Sequence, residues 1–265
     1  MNEHQAKISK VLSSIGFDSL NSLQEETLEK SVTSKNVFIL SQTGSGKTFA
    51  FLLPLFLNLD PEAKHIQALV LAPSRELALQ IEDVWRSMKT NFKVLSCYGG
   101  HSISTEKKSL TEAPALLIGT PGRICDHISR GTIALSMVEQ FVVDEYDKCL
   151  EFGFDDQMSY INEEFRCLEK VTLVSATEHK EFPNYLSFDQ PAVINQLHLS
   201  EDPDITFWKF PVRNQNKFER LFDLLCSFRG ELSIVFCNFR EATESVCTYL
   251  AENGYDAIVY HGGME

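Results

Sequence analysis

Short apolar runs punctuate the first 200 residues at intervals too long for hairpins. "NVFIL" (36–40), "ALVLA" (68–72), "KVLSC" (93–97), "ALLIG" (115–119), "FVVD" (141–144) and "TLVSA" (172–176) are rich in aliphatic residues, and each reads as a strand. Between them lie longer stretches whose apolar positions recur at helical spacing. Strands joined through helices align in parallel, and runs that are apolar along their whole length belong to a sheet covered by helices on both faces. The expected class is therefore α/β.

The pattern breaks at "LSEDPD" (199–204), an acidic, proline-containing stretch. We expect a linker at 200–206, separating a first domain at 1–199 from a second unit at 207–265. The second unit begins with "FWKFPV" (207–212) and continues with a helical segment near 215–228, "LSIVFC" (232–237), a helix near 240–253 and "DAIVY" (256–260). With about three short strands it is smaller than an ordinary α/β domain and reads as the truncated start of one.

Composition removes several classes of function. "FAFLLPLFLNL" (49–59), the longest apolar stretch, is interrupted by Pro54 and Asn58 and is shorter than the roughly 20 residues that cross a bilayer, so no membrane span is expected. The amino-terminal residues lack the apolar segment and small-residue cleavage site of a secretory signal. Seven cysteines, none in a CxxC pair, suggest reduced thiols and a cytoplasmic location. A net charge of −13 argues against a general basic field for nucleic acid, so any such contact must be local.

The clearest chemical signal is "SQTGSGKT", residues 41–48, set between the strand "NVFIL" and the helical "FAFLLPLF". That is the context a phosphate cradle needs. Gly44 and Gly46 allow Ser41, Gln42, Thr43 and Ser45 to curl so that backbone N–H groups and the helix start face phosphate oxygens. Lys47 supplies a point charge to the outer phosphates, and the Thr48 hydroxyl can ligate magnesium. The plainer alternative is a glycine-rich turn with a solvated lysine.

"VVDEYD" (142–147) then places carboxylates where a buried strand ends. Asp144 would stand at the carboxyl edge of a parallel sheet, beside the glycine loop, as a magnesium ligand acting partly through water. Glu145 can polarise an attacking water. Taken alone, the pair could equally be a charged helix N-cap.

These residues resemble the DEAD-box helicases, with "DEYD" standing where the family carries Asp-Glu-Ala-Asp. "LVLAPSRELALQI" (69–81) is similar to the family's PTRELA element, and "GG" at 99–100 and "TPGR" at 120–123 to its nucleic-acid contacts. "SAT" at 175–177 resembles its coupling motif, and "GFDSLNSLQ" (16–24) its adenine-reading Q motif. "IVFC" and "HGGM" resemble the opening motifs of a second RecA-like domain. The matches run in family order from about residue 8 onward.

The resemblance implies a RecA-like P-loop NTPase domain followed by a partial second RecA-like domain. It also implies an ATP-hydrolysing RNA helicase that uses ATP and Mg2+ and releases ADP. Glu145, Lys47 and Asp144 would be catalytic, Thr48 and Asp144 would hold the metal, and 41–48 would bind the phosphates. Gln24 would hydrogen-bond adenine while Phe17 stacks on it. Pro73, Ser74, Arg75, Gly99, Gly100, Thr120, Pro121, Gly122 and Arg123 would meet the RNA sugar-phosphate backbone without reading sequence. The plainer reading of the two arginines is pairing with acids such as Glu76 and Asp126. Asp147 would join Ser175, Ala176 and Thr177 in coupling the nucleotide site to RNA.

Three positions depart from the family pattern: Ser41 for alanine, Ser74 for threonine, and Tyr146 for a small residue. We expect the Tyr146 ring to pack aside while its hydroxyl finds a polar partner. Nothing in the chain matches the later motifs that carry arginine fingers, so weak turnover is expected of these 265 residues alone. The alternative is a nucleotide-gated RNA-binding module without unwinding activity.

Overall fold

Alternation of side chains across a pleated strand decides how this chain folds. The computed structural model describes residues 3–100, 102–179, 181–186, 188–197, 206–212, 216–228 and 230–264. The chain divides into two compact units, Met1–Pro203 and Asp204–Glu265. The expected linker, 200–206, lies outside the described residues except for Thr206.

In the first unit, α1 (Glu3–Ile15) and α2 (Ser22–Thr33) precede β1 (Asn36–Leu40), α3 (Lys47–Leu57), β2 (Ala68–Leu71) and α4 (Arg75–Ser87). There follow β3 (Val94–Cys97), α5 (Ile103–Ser109), β4 (Leu116–Gly119), α6 (Pro121–Ser129) and β5 (Gln140–Val143). The unit closes with α7 (Tyr146–Glu151), α8 (Asp155–Glu163), β6 (Lys170–Ser175) and β7 (Ala192–Asn195). Seven strands form one sheet among the described residues, in the order β3-β4-β2-β5-β6-β1-β7, and every pair is parallel. No described helix is long and apolar enough to cross a membrane.

Successive residues of each strand serve opposite cores. Val37, Ile39, Ala68, Val70, Leu116, Ile118 and Val142 pack on one face with Phe51 and Leu52 of α3 and Ile81 and Trp85 of α4. Phe38, Leu40, Leu69, Leu71, Leu117, Phe141 and Val143 pack on the other with Ile124 of α6 and Met158 and Ile161 of α8. Two covered faces explain why these strands read as unbroken apolar runs. Ten of the eleven α3 residues are buried, Pro54 included, which makes α3 an interior helix rather than an amphipathic one. β7 has no counterpart among the expected strands: "AVIN" is a four-residue edge strand with Val193 about half exposed.

The second unit contains α9 (Lys217–Ser227) and α10 (Arg240–Glu252). Its three expected strands carry no ladder among the described residues. "LSIVFC" and "DAIVY" keep strand-like alternation: Val235, Cys237, Ala257 and Val259 are half-buried, whereas Ile234, Phe236, Ile258 and Tyr260 are exposed. Strand pattern is local, but a strand is completed by its neighbours, and a lone pair of extended segments is marginal in water.

Candidate functional site

The ends of β1 and β5 build one cleft. Ser41 through Gly46 form a loop in which Gly44 and Gly46 hold φ of 84° and 86°, the left-handed region that glycine enters without a Cβ penalty. A Cβ on Gly46 would lie 2.7 Å from Gln24 Nε2 and 3.2 Å from Asn21 Nδ2, so a larger residue would displace those side chains at the start of α2 as well as strain the backbone. α3 then begins at Lys47, whose buried ammonium donates to Ser41 O at 2.8 Å. Ser41 Oγ donates to Ser45 Oγ at 2.7 Å, and Ser45 Oγ to Gln42 O at 2.9 Å, so both hydroxyls brace the loop internally.

Asp144 enters the cleft from β5. Its backbone N–H pairs with Leu71 O at 2.9 Å, and its carboxylate accepts the Glu145 N–H at 2.9 Å. Burial drives the Asp144 carboxyl up to about 6, against the pull of the Lys47 ammonium. Glu145 sits at φ 47°, ψ 52°, a left-handed conformation that costs a non-glycine residue on the order of 1–3 kcal/mol. With that backbone turn, two consecutive carboxylates line the same cleft. Its volume is ≈ 820 Å³, and its wall includes Phe17, Gln24 and residues 43–48. Phe17, on the lining of the cleft, is 57% exposed.

A site that desolvates a charge should be more stable without it. The folded Asp144 value lies above the ordinary 3.8, so between about pH 3.8 and 6 the fold retains a proton that the unfolded chain has lost, and stability falls as pH rises through that window. Asp144→Asn, which keeps the acceptor for the Glu145 N–H, is expected to raise the stability of the ligand-free protein by on the order of 1–3 kcal/mol at pH 7. Thermal melts of both proteins at pH 7 and 4 check this. A lower melting temperature at pH 7, or a gain equally large at pH 4, contradicts it.

Sequence reasoning missed Asn21. Its Oδ1 accepts the Gln24 N–H at 3.0 Å while Gln24 Oε1 accepts the Asn21 N–H at 3.0 Å, a reciprocal capping box at the start of α2. Asn21 Nδ2 also donates to Ser45 O at 3.1 Å, joining the helix start to the glycine loop. The N-x-x-Q spacing signals the cap; the bond to Ser45 has no local signature.

A second cluster gathers where β2, β4 and β3 end side by side. Pro73 is buried, and Ser74 caps α4 by accepting the Leu77 N–H at 3.1 Å. The Arg75 guanidinium lies 5.5 Å from the Tyr98 ring centroid, and Gly99 and Gly100 are exposed beside it. Thr120 precedes α6, Pro121 occupies its first turn, and Gly122 is exposed. Arg123 turns inward, with Nε 2.8 Å from Glu106 Oε2 and Nη1 3.7 Å from Asp126 Oδ2, so the pairing with Asp126 is present together with a tighter one to Glu106.

Two details differ from expectation. Thr177 Oγ1 donates to Asp147 Oδ2 at 3.2 Å, but Ser175 does not reach Asp147: its Oγ donates to Thr177 O at 2.8 Å and accepts the Thr177 N–H at 3.1 Å. Ser175 is the last residue of β6, and its hydroxyl closes the turn that carries exposed Ala176 and aims Thr177. Tyr146 is fully buried, with ring centroids 5.2 Å from His179 and 6.2 Å from Phe182. Its hydroxyl has no hydrogen-bond partner among the described residues. Packing therefore prevails over hydroxyl satisfaction at this position, and burial pushes the phenol up.

A glycine loop with a buried lysine, facing paired carboxylates across the carboxyl edge of a parallel sheet, is the architecture of a phosphate-binding α/β domain. Residues 21–184 match the family model described as DEAD/DEAH box helicase. The ATP-dependent RNA helicase DeaD of Escherichia coli (strain K12) is 33% identical over 98% of this chain and 42% of that protein. The ATP-dependent RNA helicase CshA of Listeria monocytogenes is 34% identical over 97% of this chain and 51% of that protein. A crystal structure of a DEAD box protein from the hyperthermophile Methanococcus jannaschii covers 98% of this chain and 71% of that one, at 31% identity and a TM-score of 0.66. The chain belongs to the DEAD/DEAH box helicase family. It spans about half the length of the curated relatives it matches.

Proposed function

We propose that this chain is the nucleotide-binding half of an ATP-dependent RNA helicase, joined to the start of a second RecA-like unit, and that it binds and hydrolyses ATP to remodel RNA duplexes. The observation that carries the proposal is the single cleft in which Lys47, Asp144 and Glu145 face the glycine loop. The relatives DeaD and CshA are both ATP-dependent RNA helicases.

The residues fit a nucleotide triphosphate and magnesium. Lys47 Nζ, now on Ser41 O, has a short reach to an outer phosphate, which is a stronger acceptor than a carbonyl. The buried Asp144 carboxylate has an oxygen free of the Glu145 N–H bond and, with the Thr48 hydroxyl, would hold the metal. Magnesium, when bound, supplies charge neutralisation at the β- and γ-phosphates. Glu145 would orient a water in line with the γ-phosphate and accept a proton from it as the water oxygen bonds to the γ-phosphorus and the bond to the β-phosphate oxygen breaks, leaving ADP and phosphate. Phe17 and Gln24 stand on the same wall, where they would take the adenine. Thr177, bonded to Asp147, links this cleft to the end of β6.

RNA meets the second cluster through Arg75 and the exposed glycines at the ends of β2, β3 and β4, by sugar-phosphate contacts that carry no base sequence. A few local contacts suit a chain of net charge −13, and a shallow salt dependence follows. Seven free cysteines suit action in the cytoplasm.

The test is ATP turnover with magnesium, with and without single-stranded RNA, alongside duplex separation. RNA-stimulated turnover is the expected result. ATP and RNA binding without duplex separation in the longest natural form of the protein would reduce the function to a nucleotide-gated RNA-binding module. A chain that binds no ATP would remove the proposal.

A further inference from the structure

Beneath the ends of β3 and β4, a buried carboxylate that has no place in the roles above gathers three segments. Glu106 is 5% exposed, a position glutamate almost never occupies unless it is paired. Its Oε1 accepts the Tyr98 N–H at 3.3 Å. Its Oε2 lies 2.8 Å from Arg123 Nε and 2.8 Å from His127 Nε2. Tyr98 directly precedes Gly99 and Gly100, and its ring lies under the Arg75 guanidinium. Arg123 ends the "TPGR" element, and His127 follows one helical turn later on α6.

The neighbourhood resembles a metal site, because ligand atoms of Cys97, Glu106 and His127 lie within 4.8 Å of one another. Its chemistry points elsewhere. The Arg123 guanidinium already stands at the carboxylate as the counter-cation. The other nitrogen of His127 is engaged with Thr132 Oγ1 at 2.7 Å. Burial and the Glu106 charge push the Cys97 thiol up to about 12, which keeps it protonated, whereas a metal takes the thiolate. The cluster is an ion-pair knot.

We infer that Glu106 is the positioning residue of the RNA face: its two oxygens set the spacing between Gly99–Gly100 and Thr120–Arg123 and, through Tyr98, the placement of Arg75. This rests on the RNA-binding reading above. Successive phosphates of a bound strand have a fixed separation, so contacts made from three strand ends act together only if those ends are held in register. A carboxylate suits the task because both oxygens accept. Glutamine has the same shape but one acceptor and one donor, so its NH2 must face either the Tyr98 N–H or the Arg123 guanidinium, neither of which can accept.

The test applies Glu106→Gln to the whole chain, with a fluorescent single-stranded RNA, a non-hydrolysable ATP analogue and amide hydrogen exchange. RNA affinity is expected to fall at least about tenfold while affinity for the ATP analogue stays within about twofold. Exchange at Gly99–Gly100 and Gly122–Arg123 is expected to quicken at least about tenfold, with loop 42–48 unchanged. Glu106→Asp, which keeps the charge but shortens its reach, is the second variant in case the glutamine protein does not fold, and a smaller loss of the same selective kind is expected.

RNA affinity within about twofold of wild type in a folded variant overturns the inference, as does equal weakening of RNA and the ATP analogue, which marks a general loss of fold. A wild-type chain that binds no RNA fails the functional reading instead. In that case the exchange data decide Glu106 alone: selective loosening at the two segments upholds its placement of them, and unchanged exchange overturns it.

Discussion

Glu145→Gln is expected to lower RNA-stimulated ATP turnover by about 10² to 10⁴-fold, the effect typical of a lost acid-base group. Glutamine has the same shape and can still hold a water by hydrogen bonding, but its amide cannot accept the proton that leaves as the water attacks. The left-handed backbone at 145 is unaffected by the change, since it is set by the Asp144 carboxylate on the Glu145 N–H and by the start of α7. Binding should therefore survive. The measurement is kcat in the longest natural form of the protein, together with the Kd for ATP by calorimetry. Turnover within a few-fold of wild type, at unchanged Kd, would exclude Glu145 from the chemistry.

Lys47→Ala acts earlier, on binding. Its ammonium is buried and is the main group opposing the desolvation of Asp144. Truncating one partner of a buried charge-assisted contact costs about 2–5 kcal/mol, so ATP affinity is expected to fall at least roughly 30-fold. Unchanged ATP binding by calorimetry would sink the cradle assignment. The substitution also leaves the Asp144 charge without its nearest counter-ion, and the ligand-free protein should melt at a lower temperature. Lys47→Ala combined with Asp144→Asn is then expected to recover much of that stability without recovering ATP affinity, because the two side chains share one electrostatic interaction and their effects are not additive. The combination separates the stability role of Lys47 from its role toward phosphate.

The DeaD and CshA relatives are about twice as long as this chain, and the second unit presents Leu232, Ile234 and Phe236 to solvent. An exposed apolar run of that kind is suited to being covered. In the first unit, by contrast, every residue of β2, β4 and β5 is buried, and the loops above them are held at defined positions. The cleft of Lys47, Asp144 and Glu145 thus stands at the ends of buried strands, a placement suited to holding reacting groups in a fixed geometry.

What the sequence determined by itself was local. A strand covered on both faces is apolar at most of its positions, so β1 through β6 are visible as short apolar runs, whereas β7, only one of whose four residues is buried, is not. The glycine loop and the Asp144–Glu145 pair were legible because their chemistry sits in consecutive residues between a strand and a helix.

What only the tertiary structure decided is which distant residues meet. The order β3-β4-β2-β5-β6-β1-β7 brings Arg75, Gly99–Gly100 and Thr120–Arg123 to adjacent strand ends. The same packing makes Thr177 rather than Ser175 the partner of Asp147, and it seals Tyr146 away from any polar partner among the described residues. It also sets Asn21 on Ser45 and turns Arg123 and His127 onto Glu106. Hydrophobic burial is non-directional and specifies that an apolar face is covered, not by what. Close packing then fixes the neighbours, and with them the few buried polar groups that must find partners across the fold.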